Sequence, residues 1–376
     1  MLVNKPPMGW NSWNTFGEHI NETLIMETAD VMVNDGYKDA GYEYVIIDDC
    51  WSLRQRDENG RLVADPEKFP HGMKYLADYI HSKGLKFGMY SDCGFRTCAN
   101  YPGSWGHEYI DAETFAEWGV DYLKYDFGNR PESADVKVSY LTMAQALRHC
   151  GRNIVLASCN WGVEEPWKWM RSRGAHTYRS THDISDKPES FIEIFRQQFD
   201  KFENSCFDCY NDLDMLTVGM NGKGNVAQGG CTTEEYLMHF VMWAYFGSPL
   251  IIGADVRNID DNGKNILLNR EIISINQDPE NRPPFRCRNY YDHGYGFCKL
   301  LANDEVALLA VNLHPEGDHP ISFAFDDLGI PSNRGLGLEV TDIVTGEKLG
   351  IMQGGFAEKI PNKSFKLYRA KLADIK

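Results

Sequence analysis

The chain has no apolar run near the roughly 18 residues that a membrane-spanning helix needs, which argues against such a helix. Basic residues are in the minority: 38 Lys plus Arg stand against 54 Asp plus Glu, a formal charge of −16. That argues against a nucleic-acid binder, which requires a basic face. Cysteine is sparse and scattered, ten in all, and the one Cys-x-x-Cys, Cys206 to Cys209, has no second pair to make a zinc ribbon. No Gly-x-Gly-x-x-Gly follows the first strand-like run and no P-loop occurs, so nucleotide folds are disfavoured. The opening Met1-Leu2-Val3-Asn4-Lys5-Pro6-Pro7 lacks a basic region followed by an apolar one. The reading is a cytoplasmic chain without signal peptide, its thiols free.

What the chain does have is length and aromatic surface. Its 376 residues exceed one ordinary domain, and Phe, Tyr and Trp make up 12%. Flat aromatic rings and carboxylates suit uncharged polar ligands such as sugars. Through residue ~280, short apolar runs alternate with amphipathic segments. Strand candidates fall at 8–10, 44–48, 86–90, 122–125, 154–158, 177–180, near 207–210, and at 250–253. Met73, Leu76, Ala77 and Ile80 form a helical stripe stopped by Gly84, and Tyr140, Met143, Ala144 and Leu147 another stopped by Gly151. Phe191, Ile194, Phe195, Phe199 and Phe202 make a third stripe, and Thr232 with Glu235 reads as a capping box. Eight strands alternating with helices over this length predict a (β/α)8 barrel spanning 1–281. After Asn281-Arg282-Pro283-Pro284 the pattern becomes short strands at 296–301, 306–313, 321–325, 338–344 and 365–370, punctuated by Gly, Pro and Asn. That predicts an antiparallel β-sandwich domain over 282–376.

Barrel enzymes carry their chemistry at the C-terminal ends of the strands. There stand Trp13, Asp48, Asp49, Tyr90, Asp92, Lys124, Asp126, Cys159, Asn160, Trp161, Arg179, Asp183, Asp212, Asp214, Met215 and Asp255. A carboxylate ring without paired histidines fits acid, base and nucleophile work on sugars better than a metal site, so neither metal nor cofactor is expected. Lys124 lies two residues before Asp126 and shares its strand face, so its ammonium is expected to hold Asp126 ionised. The alternative is that Asp126 and Asp183 are helix N-caps. Pattern alone does not choose between Asp183 and Asp186.

Several motifs then occur in order. They are Pro7-Met8-Gly9-Trp10-Asn11-Ser12-Trp13-Asn14, Ile47-Asp48-Asp49-Cys50-Trp51, Gly88-Met89-Tyr90-Ser91-Asp92, Cys98-Ala99-Asn100-Tyr101-Pro102-Gly103-Ser104, Asp121-Tyr122-Leu123-Lys124-Tyr125-Asp126, Arg179-Ser180-Thr181-His182-Asp183-Ile184-Ser185-Asp186, Asn211-Asp212-Leu213-Asp214-Met215-Leu216 and Asn276-Gln277-Asp278-Pro279. The chain resembles glycoside hydrolase family 27, the α-galactosidases and α-N-acetylgalactosaminidases. The resemblance implies a retaining double displacement with Asp126 as nucleophile and Asp183, rather than Asp186, as acid/base. It implies that Asp48 and Asp49 accept from the 4- and 6-hydroxyls of galactose and that Lys124 donates to the 3- and 4-hydroxyls. Arg179 and Asp183 would reach the 2-hydroxyl. Trp13, Tyr90, Trp161 and Met215 would wall the site, with Cys159 and Asp214 beside the sugar and Cys98 in the third loop. The substrate implied is an α-galactoside oligosaccharide. The indole of Trp161 disfavours an N-acetyl group at the 2-position, and Asp48 favours galactose over β-L-arabinopyranose. Two departures stand out: the family's disulfide partners for Cys98 and Cys50 are Gly128 and Glu18 here. A non-catalytic sugar-binding protein is the contrasting reading, and a homo-oligomer is left open.

Overall fold

A computed structural model describes residues 2–287 and 293–375. The chain packs as two compact units: Met1–Tyr236 with Ser248–Leu268, and Leu237–Gly247 with Asn269–Lys376. In the first, eight parallel strands form one sheet: β1 (Met8–Asn11), β2 (Tyr44–Ile46), β3 (Lys86–Asp92), β4 (Tyr122–Asp126), β5 (Val155–Ser158), β6 (Thr177–Arg179), β7 (Tyr210–Asp212) and β8 (Leu250–Ile252). Neighbours follow chain order, and β1 also pairs β8, with Met8 opposite Leu250. The ring closes between β7 and β8 through Leu216, which bridges Ile252 and exchanges backbone hydrogen bonds with Ile251 and Gly253. This is the (β/α)8 barrel. Its interior is filled by Tyr44, Ile46, Tyr122, Val155, Ala157, Tyr210, Met215 and Ile251, so it is a packed core rather than a pore.

The helical stripes bury as their periodicity predicts. Met73, Leu76, Ala77 and Ile80 are the buried residues of helix Gly72–Ser82, and Gly84 beyond it takes a left-handed φ of +69°. The capping box forms, Thr232 N donating to Glu235 Oε2 and Glu235 N to Thr232 Oγ1. The third stripe is shorter than its spacing predicts. Its helix ends at Arg196, and Phe202 sits in a separate 3-10 turn, so Phe199 and Phe202 lie beyond the helix. The seventh strand also lies later than the apolar run at 207–210, at Tyr210–Asp212, because Cys206 and Cys209 pair in a tight turn before it.

In the second unit a six-stranded antiparallel sheet has the order β14-β13-β16-β11-β10-β9 and a two-stranded sheet pairs β12 with β15. The strands are β9 (Phe285–Arg286), β10 (Gly294–Leu300), β11 (Glu305–Asn312), β12 (His319–Ala324), β13 (Leu336–Asp342), β14 (Lys348–Met352), β15 (Gly355–Ile360) and β16 (Ser364–Asp374). Residues from both sheets, among them Leu308, Ile321, Phe323, Leu338, Ile360 and Tyr368, bury one core, as in a β-sandwich.

Candidate active site

The strand ends converge on an open cavity of about 520 Å³. Its lining holds Trp13, Asp48, Asp49, Tyr90, Cys98, Lys124, Asp126, Trp161, Arg179, Asp183, Asp214 and Met215. Cys159 lies apart from this set. It lines a smaller space toward the barrel interior, shared with Lys124, Arg179, Asp214 and Met215, where Arg179 Nη1 approaches its sulfur at 3.7 Å. Asn14, Ile184 and Val226 also line the cavity. Asn14 and Ile184 lie inside quoted motifs but carried no chemistry to single them out. Val226 lies in a glycine-rich loop where no periodicity or motif points to it.

Each carboxylate is held differently. Asp48 lies two residues past the end of β2, is 2% exposed, and accepts from Lys124 Nζ and Asn11 Nδ2, both at 2.8 Å. Asp49 accepts from the backbone N–H of Cys50 at 2.7 Å and Ala99 at 3.1 Å. Burial nevertheless pushes its carboxyl up to about 6. Asp126 ends β4 and accepts from Tyr90 Oη at 3.0 Å and from Phe127 N at 2.9 Å.

The expectation that Lys124 holds Asp126 ionised is corrected. The ammonium shares the strand face but reaches across to Asp48, and burial raises the Asp126 carboxyl against the lowering pull of Lys124. Lys124 itself is held well above its ordinary range: burial opposes its charge, and Asp48, Cys159 and Asp126 outweigh that. Asp183 shows the opposite direction. Its side chain is 75% exposed, and although partial desolvation works against its charge, Arg179 Nη2 at 2.7 Å and Lys124 lower its carboxyl. Arg179 also meets Asp214 at 2.8 Å. Trp161 takes a left-handed φ of 56°, uncommon for residues other than Gly, Asn and Asp, and Asp214 takes one of 80°, which an Asp adopts more readily. Met215 N and Ile184 N donate to the Asp214 carboxylate and fix it there.

Neither catalytic candidate is a helix cap. The helix after β4 starts at Val136 behind Asp135, and the one after β6 starts at Pro188 behind Lys187. Asp186 is fully buried with its two oxygens accepting from Gly222 N and Tyr236 Oη. Asp92 was named only as a strand end, yet its carboxylate accepts from Gly94 N and Gly128 N. One ligand atom each of Asp92, Cys98 and Asp126 lies within 4.8 Å of the others. The oxygens of both carboxylates already accept protein hydrogen bonds, which leaves the trio a weak donor set for a cation.

The two absent disulfides have local substitutes. A Cβ placed on Gly128 would stand 2.9 Å from Cys98 Sγ, so the side chain that would meet the thiol is missing and Gly128 N bonds Asp92 instead. Between Glu18 and Cys50, Lys68 Nζ donates to both backbone carbonyls, at 2.9 and 2.8 Å.

Comparison with known proteins follows the same outline. The family model described as Melibiase_2: Alpha galactosidase A matches residues 5–278. An α-galactosidase of Cyamopsis tetragonoloba is 39% identical over 368 residues, 98% of this chain and 86% of that protein. The crystal structure of α-galactosidase I from Mortierella vinacea superposes with a TM-score of 0.91 at 33% identity, covering 100% of this chain and 99% of that one. A Saccharomyces cerevisiae α-galactosidase structure with raffinose gives 0.88 at 28% identity, covering 98% of each chain. Among the described residues no helix is long and apolar enough to cross a membrane.

Proposed function

We propose, from the premise that this chain belongs to the Melibiase_2: Alpha galactosidase A family, glycoside hydrolase family 27, that it hydrolyses terminal α-linked galactose from oligosaccharides with retention of configuration. One observation carries the reading: a single sugar-sized cavity holds a buried carboxylate, Asp126, an exposed one, Asp183, and the Asp48–Lys124 pair. Asp126 attacks the anomeric carbon while Asp183 gives its proton to the leaving oxygen; Asp183 then takes a proton from the water that releases galactose. Asp48 and Asp49 accept from the 4- and 6-hydroxyls, Lys124 donates to the 3- and 4-hydroxyls, and Arg179 with Asp183 holds the 2-hydroxyl. A sugar that lacks one of these hydroxyls, or that carries its 4-hydroxyl equatorially, leaves a buried charge without its partner, which is costly and selects galactose. Trp13, Tyr90, Trp161 and Met215 enclose the ring, and Cys159 acts from below it through Arg179. By themselves the protein groups raise Asp126 and lower Asp183, the reverse of what attack needs. Seating a sugar covers Asp183 and engages Arg179, both of which raise the acid toward its protonated form.

The test is nitrophenol release from the α-galactoside, the α-N-acetylgalactosaminide and the β-L-arabinopyranoside, with and without EDTA. Turnover of the α-galactoside alone, indifferent to EDTA and lost in Asp126→Ala, is the expected result. Preference for either other sugar would overturn the pocket argument. Absence of turnover by the folded protein would favour a binding protein.

A further inference from the structure

Asp186 follows the acid/base candidate by three residues and is not needed as an acid: it is fully buried and both oxygens are taken. Most of its connections run to one loop, and Thr217 and Tyr236 on either side of that loop also bond its carboxylate. Asp186 N donates to Val226 O at 3.0 Å, and Gly230 N donates to Asp186 O at 2.9 Å. Gly222 N and Tyr236 Oη each donate to its carboxylate at 2.8 Å, and Asn221 N in turn donates to Tyr236 Oη at 2.7 Å. Four backbone groups and one phenol thus fasten the segment carrying Asp183 to the loop at residues 220–230.

The far side of that loop is fastened to the end of β1. Asn225 N donates to Thr15 O, Val226 N to Asn14 O, and Asn225 Nδ2 to Trp13 O. The approach is too close for a side chain at Gly224, where a Cβ would stand 2.8 Å from Thr15 Cα; within the loop itself a Cβ on Gly230 would stand 2.6 Å from Gly222 N. Val226, half-buried at the middle of the strap, lines the cavity together with Ile184 and Asp183. Among the described residues Asp183 is held by one side chain, Arg179, and is otherwise largely exposed. Its placement therefore depends on the backbone that bears it.

We propose that Asp186 is a positioning residue: by tying the Asp183 segment to the 220–230 strap it sets how well Asp183 delivers a proton to a poor leaving group, a sugar alcohol rather than a phenol. This rests on the reading of Asp183 as the acid/base. A nitrophenolate departs without protonation, whereas a sugar alkoxide does not. Loosening the tether must therefore separate the two substrate classes.

The experiment compares kcat/KM for nitrophenyl α-galactoside and for an α-galactosyl disaccharide in wild type, Asp186→Ala and the milder Tyr236→Phe. The disaccharide is expected to lose about tenfold more than the aryl galactoside in Asp186→Ala, and about threefold more in Tyr236→Phe, fractions of the rate that general acid catalysis carries. Equal losses on both substrates, alongside a lowered melting temperature, would reduce Asp186 to a structural role and overturn the proposal. Should Asp186→Ala fail to fold, the substrate ratio in Tyr236→Phe decides alone. Wild-type protein that cleaves neither substrate would instead remove the underlying reading of the site.

Discussion

Lys124 Nζ stands 2.8 Å from Asp48 Oδ2, and that pair bridges β4 to the loop after β2 across the floor of the cavity. With the Asp48 side chain 2% and the Lys124 side chain 17% exposed, the two charges depend on each other. Removing one partner of a buried pair costs about 3–5 kcal/mol, because the other charge is stranded. Lys124→Met is therefore expected to lower the melting temperature and abolish turnover. Adding Asp48→Asn should recover most of the stability and none of the activity, a non-additivity that thermal denaturation of the four proteins reads directly.

The order of the two catalytic carboxyls predicts a specific pH response. In the free site Asp126 is raised and Asp183 lowered, so the productive form, Asp126 ionised and Asp183 protonated, is a minor one. The kcat/KM profile of the free enzyme is then a bell whose acid limb follows Asp183 and whose basic limb follows Asp126. In Asp183→Asn, assayed with an aryl galactoside, only ionisation of Asp126 is required. Removing Asp183 takes away one charge that raises Asp126, but burial and Asp48 remain. Activity should rise with pH through the region where wild type falls. A variant that keeps the wild-type acid limb would mean Asp126 titrates low.

Stability should fall as pH rises, the direction opposite to that of carboxylates whose partners hold them below their ordinary range. Burial pushes Asp49 and Asp214 up to about 6 and Asp92, beside Asp126, up to about 7. Each keeps its proton in the folded chain at a pH where the unfolded carboxyl, ordinarily near about 4, has lost it. The folded state binds more protons between about pH 4 and 7, so stability falls as pH rises across that window. Melting temperature is expected to decline from pH 5 to pH 8, with a shallower slope in Asp92→Asn.

Cys98 is an exposed residue whose thiol is expected to react slowly. Burial of its sulfur, together with Asp126 and Asp92, pushes the thiol far above its ordinary range. Because the thiolate is the nucleophile, iodoacetamide at pH 8 should alkylate it at least about tenfold more slowly than a free cysteine. Peptide mass mapping over time checks this. Rapid labelling of Cys98 would mean its sulfur faces solvent rather than Asp92.

Much of the barrel could be read from sequence because its signals are local. An inward-facing strand gives a short apolar run, and a packed helix gives a 3.6-residue stripe such as Met73, Leu76, Ala77 and Ile80. Strand-end positions and the motifs together named twelve of the residues that line the cavity. What escaped was non-local or unpatterned. β14 and β15 lie largely at the surface, where alternation gives little contrast, and went unread. The partner of Lys124 depends on how far its side chain reaches between strands, which shared-face spacing does not specify. Val226 reaches the cavity only because Asp186 and Asn14 hold its loop there.

The pairing of β1 with β8 joins residues 242 positions apart, Met8 with Leu250. By then Asp48, Asp126 and Asp183 have long been made, so a growing chain carries every catalytic carboxylate well before it can close the ring that aims them. A chain cut before residue 250 lacks the strand that covers the second edge of β1, and an uncovered strand edge is a template for mispairing. Such a fragment keeps Asp48, Asp126 and Asp183 but not the closed ring that aims them.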